Sequence, residues 1–198
     1  TYLYVFNGWD NRKENLIKAE QIFTEALIKA EQKDELKWIA ISLNQLALCA
    51  IEYNDRDLAE GLDNEYYDRS IELTNRALNL AKTINNNSIL GNSLDRLGVM
   101  ALRKKDYNHA LQYFNDVLQI IRETGDEIEI ASSLQRIAQA HNTIGNYNKA
   151  INYYQQAIEI YDKMDESFKR GFVQSHIGEI YAKKGDYDTA IQYETIFY

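Results

Sequence analysis

Tyr67, Tyr107, Tyr147 and Tyr187 stand forty residues apart, and Ala110, Ala150 and Ala190 keep the same step. A fixed step of this length means one structural unit copied several times. Each copy buries its apolar side against its neighbours, so the core is linear rather than central. The later copies read GNSLDRLGVMALRKKDYNHALQYFNDVLQIIRETGD at 91–126, ASSLQRIAQAHNTIGNYNKAINYYQQAIEIYDKMD at 131–165 and GFVQSHIGEIYAKKGDYDTAIQYE at 171–194.

Each copy reads as two helices. Leu94, Leu97, Val99, Met100 and Ala101 recur at helical spacing in 91–103, and Tyr107, Ala110, Leu111, Phe114, Val117, Leu118 and Ile121 do so in 107–121. The joints between them are short and polar: Lys104-Lys105-Asp106, Gly145-Asn146 and Gly185-Asp186, with Gly125-Asp126 closing a copy. Glycine at such a joint takes the left-handed conformation that ends a helix. The sequence has no proline, so no ring interrupts a helix. Gly98, Ala138 and Gly178 share one position on the first helix, and Ala110, Ala150 and Ala190 one on the second. Small residues at both let the backbones approach, and Leu97, Ile137 and Ile177 with Phe114 and Tyr154 are expected to fill the seam.

These residues resemble the tetratricopeptide repeat in its long form of about forty residues. Tyr147, Ala150, Tyr154 and Ala157 match the motif fully. Tyr107, Ala110 and Phe114 match it with Val117 in place of the last alanine. Earlier copies are degraded. Residues 11–31 read as a second helix, and 34–53 as a first helix whose Leu43, Leu46 and Ala47 align with Leu94, Leu97 and Gly98. Its partner starts near Tyr66, with Ser70 and Thr74 at the alanine and aromatic positions. The resemblance implies an all-α fold, a right-handed superhelical α-solenoid of antiparallel helix pairs. One array over 1–198 is expected, with a partial repeat at 1–31 and repeats at 34–84, 88–126 and 127–165. An acidic insertion interrupts the second at 54–65, and a truncated repeat covers 167–198. Tyr2-Leu3-Tyr4-Val5-Phe6 reads as the tail of a first helix, and neither end shows a polar cap. Exposed apolar ends are expected, covered by more chain or by a second subunit.

Motifs for catalysis are absent: no GxGxxG, Walker loop, HExxH or GxSxG occurs. His109, His141 and His176 fall at different repeat positions and make no metal pair at helical spacing. Cys49 aligns with Met100, Ala140 and Ile180 and reads as core. The acidic segment Asn54–Asp68 fails the calcium-loop pattern, because Ala59 stands where a ligand should and Gly61 is out of phase. Asn86-Asn87-Ser88 reads as a turn. No enzyme activity, cofactor or metal is expected.

The resemblance places binding on the concave wall made by the first helices. On that wall the matched positions are Asn44 and Gln45 in the second copy, Asn92, Asp95 and Arg96 in the third, Gln135 and Arg136 in the fourth, and His176 in the fifth. One turn onward come Leu48, Val99, Gln139 and Glu179, then Arg103, Asn142 and Lys183. Amide side chains there can hydrogen-bond an extended peptide, and Arg96 and Arg136 are the expected anchors for a carboxylate. The clamp that holds acidic chaperone tails is incomplete, since Leu48 and Asn92 replace two of its residues.

The expected function is a protein-interaction module that binds a peptide or partner protein. A peptide-sensing regulatory domain of a larger signalling protein is the alternative. The formal net charge of -8 argues against nucleic acid and against an anionic membrane surface as partners. Self-association through uncapped ends is a further expectation. The single cysteine forms no internal disulfide and points to a reducing, cytoplasmic setting.

Overall fold

A computed structural model describes residues 9–57 and 65–195, and every element within them is an α-helix. In chain order these are α1 (Trp9–Gln32), α2 (Leu36–Asp57), α3 (Glu65–Thr83), α4 (Asn87–Arg103), α5 (Tyr107–Thr124), α6 (Glu127–Ile144), α7 (Tyr147–Lys163), α8 (Ser167–Lys183) and α9 (Tyr187–Thr195). The segment read as a preceding helix tail, Tyr2 to Phe6, lies outside the described residues. The acidic insertion read at 54–65 is partly helical, since α2 runs on to Asp57; residues 58–64 are not described.

The helix starts obey the sequence period. Tyr107, Tyr147 and Tyr187 each open a helix, as do Asn87, Glu127 and Ser167. The joints obey half of it. Positive φ occurs at Asn85, Lys105, Gly125, Gly145, Asp165 and Gly185, one residue in every twenty. The residue after each then stands at the cap position of the next helix. Asn86, Asp106, Asp126 and Asp186 accept a hydrogen bond from the backbone N–H three residues on, at 3.0, 3.4, 3.0 and 3.1 Å. That satisfies one of the donors a helix start leaves open. At five joints the same residue's own N–H closes the previous helix, reaching back five residues: Asn86 to Ala81 O, Asp106 to Ala101 O, Asn146 to His141 O, Glu166 to Tyr161 O and Asp186 to Tyr181 O, all at 2.8–3.0 Å. Joints within a copy and joints between copies therefore share these features. The sequence shows them only where the left-handed residue is glycine. Lys105 adopts φ 62 with a full side chain, where a β-carbon crowds its own carbonyl.

The helices form two compact units, Thr1–Leu97 and Gly98–Tyr198, with the dividing point inside α4. In the first unit α2 packs against both α1 and α3. Leu43, Leu46 and Ala47 meet Ala30, Leu73 and Ala77 in its core. Ala40, Ala81 and Ile89 form a second cluster. In the second unit the core runs through Ala110, Phe114, Leu134, Ile137, Ala138, Ala150, Tyr154, Ala157, Val173, Ile177 and Ile180. Each large apolar side chain buried there contributes roughly 1.5–3 kcal/mol. Close approach is required at Gly98: a β-carbon there would stand 2.6 Å from the Phe114 ring. Ala110 and Ala150 are fully buried and Ala190 nearly so. The three tyrosines opening α5, α7 and α9 are less alike: Tyr107 and Tyr147 are half-buried, whereas Tyr187 is 66% exposed.

Candidate functional site

The first unit holds Asn44, Gln45, Leu48, Asn92, Asp95 and Arg96 of the expected wall. Asn44 is not an open face. It is 4% exposed, and its Nδ2 donates to Ser93 Oγ at 2.9 Å while Ser93 Oγ also reaches Ile89 O at 2.9 Å. The expectation that Asn44 meets a ligand is thereby replaced by a buried bridge between α2 and α4. A buried amide must find a partner, and Ser93 is the polar group in reach. Arg96 is packed down as well. Burial lowers its pKa, with Asp95 opposing that shift, and its buried Nε has no hydrogen-bond partner. Cys49 lies within electrostatic range of Arg96. Its thiol is pushed up to about 11 by burial first and by Glu20 next. It is a core thiol of low reactivity. Gln45, Leu48 and Asp95 are half-buried and Asn92 is exposed.

The second unit holds Val99, Arg103, Gln135, Arg136, Gln139, Asn142, His176, Glu179 and Lys183. Here α6 is two-sided. Ala131, Leu134, Ile137 and Ala138 are buried, while Arg136 and Gln139 are exposed and Gln135 is half-buried. On α8, Val173, Ile177, Gly178 and Ile180 are buried, and Glu179 and Lys183 face water. Lys183 Nζ donates to Asn142 Oδ1 at 3.4 Å, so the structure brings together two expected residues 41 apart in the chain. His176 stacks on Tyr154 with ring centres 5.6 Å apart and meets Phe172 edge-on at 4.7 Å. Its Nδ1 lies 3.7 Å from Glu179 Oε2. Burial, and then Glu179, raises the Tyr154 hydroxyl's pKa. Val99 is half-buried against the core, and Arg103 is exposed. The chemistry available on this side is hydrogen bonding by amides and weak ion pairing in water. No group of three or more His, Cys, Asp or Glu able to hold a metal ion occurs among the described residues.

A family model described as tetratricopeptide repeat matches residues 89–163, and a second of that description matches 173–193. Over those residues the chain carries tetratricopeptide repeats. The repeat protein matches no curated protein by sequence. Among solved structures it is similar to BtubC (BKLC) from P. vanneervenii, with a TM-score of 0.72, 16% identity, and coverage of 92% of this chain and 72% of that one. It is similar to a Rap protein complexed with Competence and Sporulation Factor, with a TM-score of 0.74, 18% identity, and coverage of 96% and 50%. A Podosopora anserina protein of nearly identical TPR-like repeats gives 0.70, 14%, and coverage of 93% and 86%. The repeat protein thus spans about half the length of the Rap structure it matches. These likenesses establish the fold, an all-α helical solenoid repeat. None of its described helices is long and apolar enough to cross a membrane.

Sequence reasoning missed Ser93 as the partner of Asn44. The sequence carried no signal of it, because Asp95 and Gln135 occupy the matched position, also after a buried leucine, and are only half-buried. The packing of Arg96 had no sequence signal, because Arg96 and Arg136 occupy the same repeat position but only the second is exposed.

Proposed function

We propose that this tetratricopeptide-repeat protein is a non-catalytic protein-interaction module, and that a peptide or partner chain lies along the polar side of α6 and α8. The observation that supports this reading is the two-sidedness of those helices in the second unit. One side is fully buried; the other presents Gln135, Arg136, Gln139, Glu179 and Lys183. Side-chain amides and a guanidinium can satisfy the backbone of an extended chain and one carboxylate. On this reading Arg136, rather than Arg96, is the anchor. The copies at 34–84, 88–126, 127–165 and 167–198, after the partial copy 1–31, act as one array in a cytoplasmic setting.

The test is selection of peptides from a displayed random library on the 198-residue chain, followed by rebinding to an Arg136→Glu, Gln139→Glu variant. The selected peptides should lose at least about tenfold in affinity, with the melting curve unchanged. Peptides that bind the variant undiminished would place the surface elsewhere.

A regulatory sensor is the second reading. Its support is the likeness to a Rap protein that was crystallised with Competence and Sporulation Factor. Small-angle scattering with a selected peptide separates the two readings: a sensor compacts, and a passive module keeps its envelope.

A further inference from the structure

A cleft of about 540 Å³ opens in the second unit between α5, α6 and α7. None of the polar-side residues just described lines it. Leu118 and Tyr153 supply its apolar lining, and amides of α5 and α7 much of the rest. Arg122 comes from α5 and Lys149 from α7, both exposed, and no aspartate or glutamate lines it. In a chain of net charge -8 a cleft with two cations and no carboxylate stands out against its own background. His141, from the last turn of α6, also lines it. The residue is 7% exposed, and its Nδ1 is buried without a hydrogen-bond partner. Buried polar nitrogens nearly always have a partner, which a ligand or a water in the cleft would supply.

The next copy supplies an internal control. Forty residues on, Arg122, His141 and Lys149 become Asp162, Tyr181 and Thr189. The ring stack survives that change. His141 stacks on Tyr153 with centres 5.6 Å apart and planes 10° from parallel, and Tyr181 stacks on Tyr193 at 5.8 Å and 12°. The stack is therefore part of the repeat, and a tyrosine serves it as well as a histidine. The positive groups are not required by the fold. Asp162 instead accepts from Arg170 at 3.0 Å.

We propose that this cleft binds a small oxyanion, a carboxylate or phosphate, held by Arg122 and Lys149 and hydrogen-bonded by His141. The volume suits a ligand of metabolite size, and a guanidinium takes an oxyanion through two parallel N–H donors. Without an anion, burial and then Lys149 hold the His141 pKa below the ordinary histidine value. An oxyanion beside the ring opposes that shift, because a nearby negative charge favours the charged imidazole.

The experiment is an NMR titration of the His141 ring in the 198-residue chain. Inorganic phosphate is used in one arm and succinate in the other, at constant ionic strength set with sodium chloride. Saturable binding that moves the His141 titration to higher pH is expected in at least one arm, and the arm that responds identifies the anion class. Arg122→Gln and Lys149→Gln should each weaken that binding about tenfold, while Lys37→Gln, far along the sequence on α2, changes nothing. Two results would overturn the proposal: no saturable change in either arm, or the same change in the Arg122→Gln, Lys149→Gln double variant. Neither bears on whether peptides lie on α6 and α8, which is read by a different variant.

Discussion

Ser70 and Thr74 on α3 occupy the positions that Ala110 and Phe114 take on α5, and Ala150 and Tyr154 on α7. In the second unit the seam is filled by rings, with Phe114 2% and Tyr154 1% exposed. In the first it holds two hydroxyls, both fully buried. These are tolerated because each has a backbone acceptor: Ser70 Oγ donates to Ala47 O at 3.0 Å, and Thr74 Oγ1 to Ser70 O at 2.7 Å. The Asn44–Ser93 bridge adds a third buried polar contact to the same unit. What looks in sequence like decay of the motif is a second way to fill the seam, with less volume and more hydrogen bonding. Stability in the second unit should depend on ring volume, and in the first on partners for buried polar atoms.

The contrast can be broken by paired substitutions. Tyr154→Ala should cost about 3–5 kcal/mol in urea unfolding, whereas Thr74→Ala at the matched position should cost about 1 kcal/mol. Equal losses would end the distinction between the units. Asn44→Ala should cost about 1–3 kcal/mol by removing the partner of a buried serine. A neutral result would show that Ile89 O alone satisfies Ser93. Gly98→Ala tests the close approach in the second unit. The new methyl meets a ring that is itself buried, and overpacking should outweigh the helix propensity gained, for a net loss of about 1 kcal/mol. A stabilised variant would mean that Phe114 has room to shift. The remaining effect is a gain. Lys105→Gly should raise stability by about 1 kcal/mol, because glycine carries no β-carbon to crowd the left-handed turn. The same change at Asp165 extends the test to the joint between α7 and α8. Thermal melting resolves either, and a loss at both would refute the shared joint design.

Much of the fold was legible because it rests on local rules repeated at a fixed step. The helix spacing, the small residues at 98, 110, 138 and 150, and the glycine joints are each visible in one copy and checked by the next. Lys105, Asn85 and Asp165 were not legible as left-handed, since nothing in their side chains requires it; the helices on either side impose it. The candidate surface was legible only in part. Repeat position correctly separates the buried from the polar side of α6 and α8. It gave Arg96 and Arg136 the same role, although they differ in packing.

From the chain alone follow the period, the pairing of helices, the seam positions and the family, since each depends on residue type at short range. Tertiary structure decided which of two matched arginines is covered, which asparagine is enclosed, and that Arg122, His141 and Lys149 line one cleft. Those outcomes depend on what neighbouring helices bring within a few ångströms of a side chain, and separation along the sequence does not encode that.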